Sequence, residues 1–125
     1  MNSKGRLFYI HWNPTEAEAR AASFREDGWE VRLEAKDGDR ASRRILGDPP
    51  GVVVISLARL PSHGREIAAY LRSRKGGSEV PIVFVDGSED AVGKATSKVP
   101  EAICTTSSEL QVILSGFAKD AQPEK

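Results

Sequence analysis

Residues 52–55 are Val-Val-Val-Ile, β-branched side chains in unbroken succession. Side chains on a strand point alternately to its two faces, so a run without a polar member has no face to offer to water. Such a run belongs inside a sheet covered on both sides, the usual setting of parallel sheets in α/β proteins. Pro81-Ile82-Val83-Phe84-Val85 has the same character. Parallel neighbours need long crossovers, and segments with helical signals lie between the apolar runs.

Leu7 to His11 is a short apolar and aromatic strand. Asn13-Pro14 supplies an N-cap and a first helical position, with Glu16 and Glu18 in the first turn. That helix extends to Asp27 and ends at Gly28. Trp29 to Ala35 alternates apolar and polar residues, which predicts a strand with one face more exposed. Asp37 to Leu46 predicts a short helix with Ile45 and Leu46 inward, closed by Gly47. The loop Asp48-Pro49-Pro50-Gly51 feeds the strand Val52 to Ile55. Ser62 to Arg74 follows with helical spacing through Ile67, Ala68 and Leu71. Lys75-Gly76-Gly77-Ser78 is the clearest loop signal. After the strand Pro81 to Val85, Gly87 to Lys98 is a helix capped by Ser88, and Ala102 to Thr105 is a last short strand. Ser107 to Phe117 closes the chain as a helix. Residues 1–118 are expected to form one domain and 119–125 a polar tail.

Strands and helices thus alternate strictly. With right-handed crossovers, this predicts an α/β fold: a doubly wound five-stranded parallel sheet, order 2-1-3-4-5, with five helices. The chain has 125 residues, enough for one core. Lys plus Arg and Asp plus Glu number 18 each, so the chain shows no basic excess of the kind usual in proteins that bind nucleic acid through phosphate contacts. Direct nucleic-acid binding is therefore not expected. Arg40, Arg43 and Arg44, and Arg72, Arg74 and Lys75, read as solvated helix faces. The single cysteine, Cys104, excludes an intrachain disulfide and any zinc site built on cysteine pairs. It reads as a small buried hydrophobe. Trp29 is expected to cover the edge near the second strand. No signal peptide or membrane-length apolar run is evident, so a cytoplasmic protein without a membrane partner is expected.

Ligands of such folds sit beyond the carboxyl ends of the strands. His11, Trp12, Ser56, Asp86, Thr105 and Thr106 fall there. Three stretches carry a family resemblance. Ile10-His11-Trp12-Asn13-Pro14 resembles the Val-Asp-Asp-x-Pro segment of response-regulator receiver domains. Ser56 to Gly64, with Pro61 retained, has the length of that family's loop from phosphoacceptor to glycine. Pro81 to Asp86 and Ala102 to Ser107 resemble its fourth and fifth strands. The resemblance covers nearly the whole chain. It implies a CheY-like, flavodoxin-like fold and a place in bacterial two-component signalling.

The resemblance also implies that the phosphorylation chemistry is missing. The acid pair that holds magnesium corresponds to His11 and Trp12, and the acceptor aspartate to Ser56. The residue that reads the phosphoryl group corresponds to Asp86, the pairing lysine to Thr106, and the switch aromatic to Ile103. The chain therefore looks like a pseudo-receiver with no catalytic residues, no cofactor and no metal. Trp12 is expected to fill the vacated pocket or to pack on the first helix.

A Ser56–His11–Asp86 hydrolase is disfavoured, because no Gly-x-Ser-x-Gly turn exposes the serine. Asp86 reads instead as a cap for the helix after it. His11 and Asp86 alone fall short of a metal's usual ligand count, and His63 reads as an exposed loop residue. The expected function is protein–protein interaction without enzymatic activity, with a partner protein or a second copy. Receiver domains signal through the face of their fourth helix, fifth strand and fifth helix, which implicates Lys94, Lys98, Glu109 and Val112. The alternative is a small-molecule sensor using the altered pocket.

Overall fold

Every residue of the strand Val52–Ser56 is buried, and the molecule is arranged around it. The computed structural model describes residues 3–118; the expected tail at 119–125 lies outside the described residues. In chain order the elements are β1 (Arg6–Ile10), α1 (Pro14–Glu26), β2 (Glu30–Glu34), α2 (Gly38–Gly47), β3 (Val52–Ser56), α3 (Pro61–Arg72), β4 (Ile82–Val85), α4 (Glu89–Lys98), β5 (Ile103–Thr105) and α5 (Ser107–Ser115). The strands form one sheet in the order β2-β1-β3-β4-β5, and all its pairings are parallel. The expected topology is the observed one.

The period of two along each central strand sorts side chains between two apolar layers. Phe8, Ile10, Val53, Ile55, Ile82 and Phe84 face α2, α3 and α4. Leu7, Tyr9, Val52, Val54, Val83 and Val85 face α1 and α5. Each fully buried aliphatic side chain contributes about 1.5–3 kcal/mol. Registers Ile10↔Ile55, Ser56↔Val85 and Val85↔Thr105 bring the carboxyl ends of β1, β3, β4 and β5 to one rim of the sheet.

The structure differs from expectation in several local features. The Gly-rich segment after α3 is not a plain loop, since Lys75–Gly77 forms a 3-10 turn. Arg72 Nη1 donates to the carbonyls of Gly77 and Val80 at 3.1 and 2.7 Å, and its Nε pairs with Glu101. α3 accordingly stops at Arg72, short of Arg74. Arg40 and Arg44 are likewise not simply solvated, because both pair with Glu34. Arg44 also lies 5.2 Å from the centroid of the Phe8 ring. Trp29, directly before the edge strand β2, is 3% exposed and belongs to the α1–α5 layer with Phe24. Cys104 is only partly buried, because β5 is an edge strand; its Sγ lies 3.7 Å from Thr96 Oγ1. α5 ends at Ser115, before Phe117.

Candidate functional site at the strand ends

His11 follows β1 directly, and its side chain is 5% exposed. Nδ1 accepts the Asn13 backbone N–H at 3.1 Å, and Nε2 lies 2.9 Å from Glu16 Oε1. An acceptor at Nδ1 and a carboxylate at Nε2 together specify a neutral ring with its proton on Nε2. Burial lowers the His11 pKa; Glu16 opposes the shift, and Arg20 and Arg59 add to it. Asn13 Oδ1 in turn caps α1 by accepting the Glu16 N–H. His11 therefore braces the start of α1.

A pH dependence follows. Below the ordinary histidine value of 6.5, the unfolded chain takes up a proton that the folded chain refuses. Stability from this group is complete above that value and falls as pH drops toward the lower folded pKa. The urea midpoint is expected to fall between about pH 7.5 and pH 5.5 in the wild type, and to stay flatter in His11→Asn. Parallel curves for the two proteins would remove His11 as the cause.

Trp12 does not pack on α1. Period two places it with Phe8 and Ile10, toward α2 and α3, where its ring packs against the apolar layer. It meets His63 edge-on at 5.9 Å, and a Cβ built on Gly38 would lie 3.9 Å from it. Its Nε1 is buried without a hydrogen-bond partner.

Ser56 is 2% exposed, and its Oγ accepts the Ala58 N–H at 3.2 Å. Leu57 is buried beside it. Leu60 then adopts φ 46 and ψ 56 with half its surface exposed, a left-handed conformation unusual for a bulky residue. Pro61 opens α3. A Cβ on Gly64 would lie 2.7 Å from Ile55 Cγ2, so glycine permits the close seat of α3 on β3.

Asp86 does not cap the helix that follows it. Ser88 does that, accepting the Ala91 N–H at 3.1 Å. Asp86 reaches across to α5 instead: Oδ1 accepts the Ser107 N–H at 2.9 Å and Oδ2 accepts the Ser107 hydroxyl at 2.6 Å. Thr106 stands at the N-cap of α5 but makes no side-chain cap bond, and its hydroxyl lies 3.0 Å from Ser108 Oγ. The polar atoms of His11, Ser56 and Asp86 are thus bonded to Asn13 and Glu16, to Ala58, and to Ser107. They form no relay with one another. Among the described residues, no group of three or more His, Cys, Asp or Glu is placed to hold a metal ion.

Glu34 is the residue that sequence reasoning missed. It is 4% exposed at the end of β2. Its carboxylate accepts the backbone N–H groups of Lys36 and Asp37 at 3.1 and 3.0 Å, and two Arg40 guanidinium bonds at 2.8 Å. The Arg40 hydrogen bond, reinforced by the two backbone donors, outweighs burial and holds its pKa at about 2. Its position in WEVRLEA reads as one more polar residue in an alternating strand. The hint was its place just before the Asp37 N-cap.

A cleft of about 920 Å³ lies between α2 and α3 and is lined by Lys36, Arg43, His63, Ile67 and Tyr70 among others. None of the strand-end residues named above lines it. Lys94, Lys98, Glu109 and Val112 are all exposed on α4 and α5, Val112 at 72%. Ile103 is 36% exposed between them on β5.

No protein-family model matches the sequence, and no curated protein matches it. Solved structures do match. A putative response regulator from Chloroflexus aurantiacus superposes with a TM-score of 0.77 at 19% identity, over 92% of this chain and 98% of its own. The receiver domain of the sensor histidine kinase PA1611 from Pseudomonas aeruginosa, with magnesium in its active-site cleft, gives 0.72 at 22% identity, over 92% and 98%. The response regulator TrrA from Thermotoga maritima, in complex with the histidine kinase ThkA, gives 0.72 at 16% identity, over 94% and 98%. The fold is the CheY-like receiver fold. Among the described residues of this receiver fold, no helix is long and apolar enough to cross a membrane.

Proposed function

We propose that this chain is a pseudo-receiver: a signalling module that works by protein–protein contact, without phosphorylation, through the face of α4, β5 and α5. The observation that carries the reading is the rim of the sheet. A receiver fold stands there on His11, Trp12, Ser56, Asp86 and Thr106, where the family's acid pair, phosphoacceptor, reader and lysine are expected. Mg²⁺ takes oxygen ligands in near-octahedral geometry. These side chains do not fit it: the indole has no lone pair to give, and both imidazole nitrogens are engaged. A serine hydroxyl cannot form the mixed anhydride that an aspartate forms, and the Asp86 carboxylate repels a phosphoryl group.

Val112 on α5 and Ile103 on β5 present apolar area, and Glu109 on α5 and Lys94 and Lys98 on α4 are exposed, the two lysines lining a groove with Arg65 of α3. Exposed apolar side chains and mixed charge on neighbouring elements suit a protein partner, and equally a second copy of the chain. The complex of TrrA with ThkA is one example of a receiver fold engaging a protein.

Incubation with acetyl phosphate and Mg²⁺ is expected to leave the mass unchanged, and a magnesium-dependent gain of one phosphoryl group would overturn the reading. For the surface, Val112→Glu is expected to keep the thermal midpoint. It should lower self-association, or capture of the protein that the wild type retains from its source cell, by about tenfold or more. A wild type that is monomeric and retains no protein would remove the surface from consideration.

A further inference from the structure

We propose that the Asp86 carboxylate is an internal lock: it ties the β4–α4 loop to the first turn of α5 and holds the α4–β5–α5 face in one arrangement without a phosphoryl group. The inference rests on the reading of that face as the working surface, and it names what holds the surface in place.

Asp86 has φ 63 and Gly87 has φ 102, so two successive residues sit where L side chains are disfavoured. Such a segment persists only when its surroundings over-determine it. Three contacts do so here. The Asp86 N–H donates to the Thr105 carbonyl at 2.9 Å, which joins the end of β4 to the end of β5. Gly87 lies against Leu57, where an added Cβ would come within 2.7 Å of the Leu57 Cβ. The carboxylate takes both the N–H and the hydroxyl of Ser107.

The third contact decides the matter. A helix normally takes its cap from the residue just before it, and such a cap fixes that helix alone. Thr106 gives α5 no such bond. The cap comes from a residue 21 positions upstream, on the loop that also sets the start of α4. One side chain therefore fixes the loop into α4 and the start of α5, the two helices that flank β5. Its charge suits the role, because the N-terminus of a helix favours an anion. The chain thus carries its own anion at the rim of the sheet.

The test is ¹⁵N relaxation dispersion and amide hydrogen exchange on the full chain, comparing the wild type with Asp86→Gly and Ser107→Ala. Glycine accepts φ 63, so Asp86→Gly removes the carboxylate without adding backbone strain. In Asp86→Gly, millisecond broadening is expected across residues 87–112, with exchange at Ser107 and Ser108 faster by about tenfold or more. The amides of β1 and β2 should keep wild-type protection. Ser107→Ala keeps the backbone bond and should give a smaller change in the same residues. Wild-type dynamics in Asp86→Gly, or protection lost evenly across the sheet, would overturn the lock. Should Asp86→Gly not fold, Ser107→Ala decides by the same criterion: broadening confined to 87–112 supports the lock, and any other pattern overturns it. Failure of the underlying reading registers separately, as a phosphoryl mass gain in the wild type.

Discussion

Gly87→Ala is expected to destabilise the fold by about 3 kcal/mol, from backbone strain and from overpacking together. Gly87 lies at φ 102, outside the regions open to an alanine. An added methyl would also stand 2.7 Å from the Leu57 Cβ and 3.6 Å from the Leu57 carbonyl oxygen. Neither atom is the far end of a flexible side chain. Leu57 cannot retreat, because it is buried and its N–H is bonded to the Val85 carbonyl at 2.9 Å. In a chain of this length the loss lowers the thermal midpoint by roughly 10 °C. The control is Gly93→Ala in α4, where nothing lies within 4 Å of the new methyl and φ is not positive. That change is expected to stabilise by about 0.5–1 kcal/mol, because alanine is the better helix former. Calorimetry on both variants checks the pair. Equal midpoints would mean that the β4–α4 loop yields where the geometry says it cannot.

The fold was legible because its signals are one-dimensional. Val52–Ile55 and Ile82–Val85 declare burial on both faces, and Asn13-Pro14 and Ser88 declare helix starts. Those local features, with the handedness of crossovers, leave few topologies open. The rim of the sheet was legible only as a set of residues. Period two extends past the strand into the β1–α1 loop and sends His11 and Trp12 to opposite layers, which determines their neighbours. In the sequence Asp86 points to the wrong helix, because proximity along the chain favours the next element. The left-handed backbone at Asp86 aims the carboxylate at Ser107, and no local pattern reveals that angle. Arg72 and Arg44 look solvated in the sequence for a related reason. An arginine in a basic cluster looks the same in sequence whether its guanidinium meets water or the carbonyls of a tight turn.

The same distinction between local and distant partners governs Glu34, where the second large effect is expected. Glu34→Gln should cost about 3 kcal/mol at neutral pH, the equivalent of a pKa held from 4.5 down to about 2. The carboxylate joins three pieces of chain: the end of β2, the β2–α2 loop through Lys36 and Asp37, and the first turn of α2 through Arg40. The Glu34 carbonyl also accepts the His11 N–H at 3.3 Å, so the residue borders the β1–α1 loop as well. A glutamine keeps one carbonyl oxygen for these donors but loses the charge and the two-pronged match to the guanidinium. The pH dependence separates this loss from a general weakening of the fold. The folded carboxylate binds its proton less readily than the unfolded one, so its contribution is complete above 4.5 and disappears as pH falls toward about 2. The gap between wild type and Glu34→Gln in urea unfolding should therefore be widest near neutrality and close through that window. A gap of constant size across it would assign the effect to packing. Salt gives a second separation. Asp48 pairs with Arg6 and Arg32 on the exposed surface, where ion pairs are weak and screened. Any effect of Asp48→Asn should fade with added salt, whereas the Glu34 effect, from a carboxylate shielded from solvent, should largely persist.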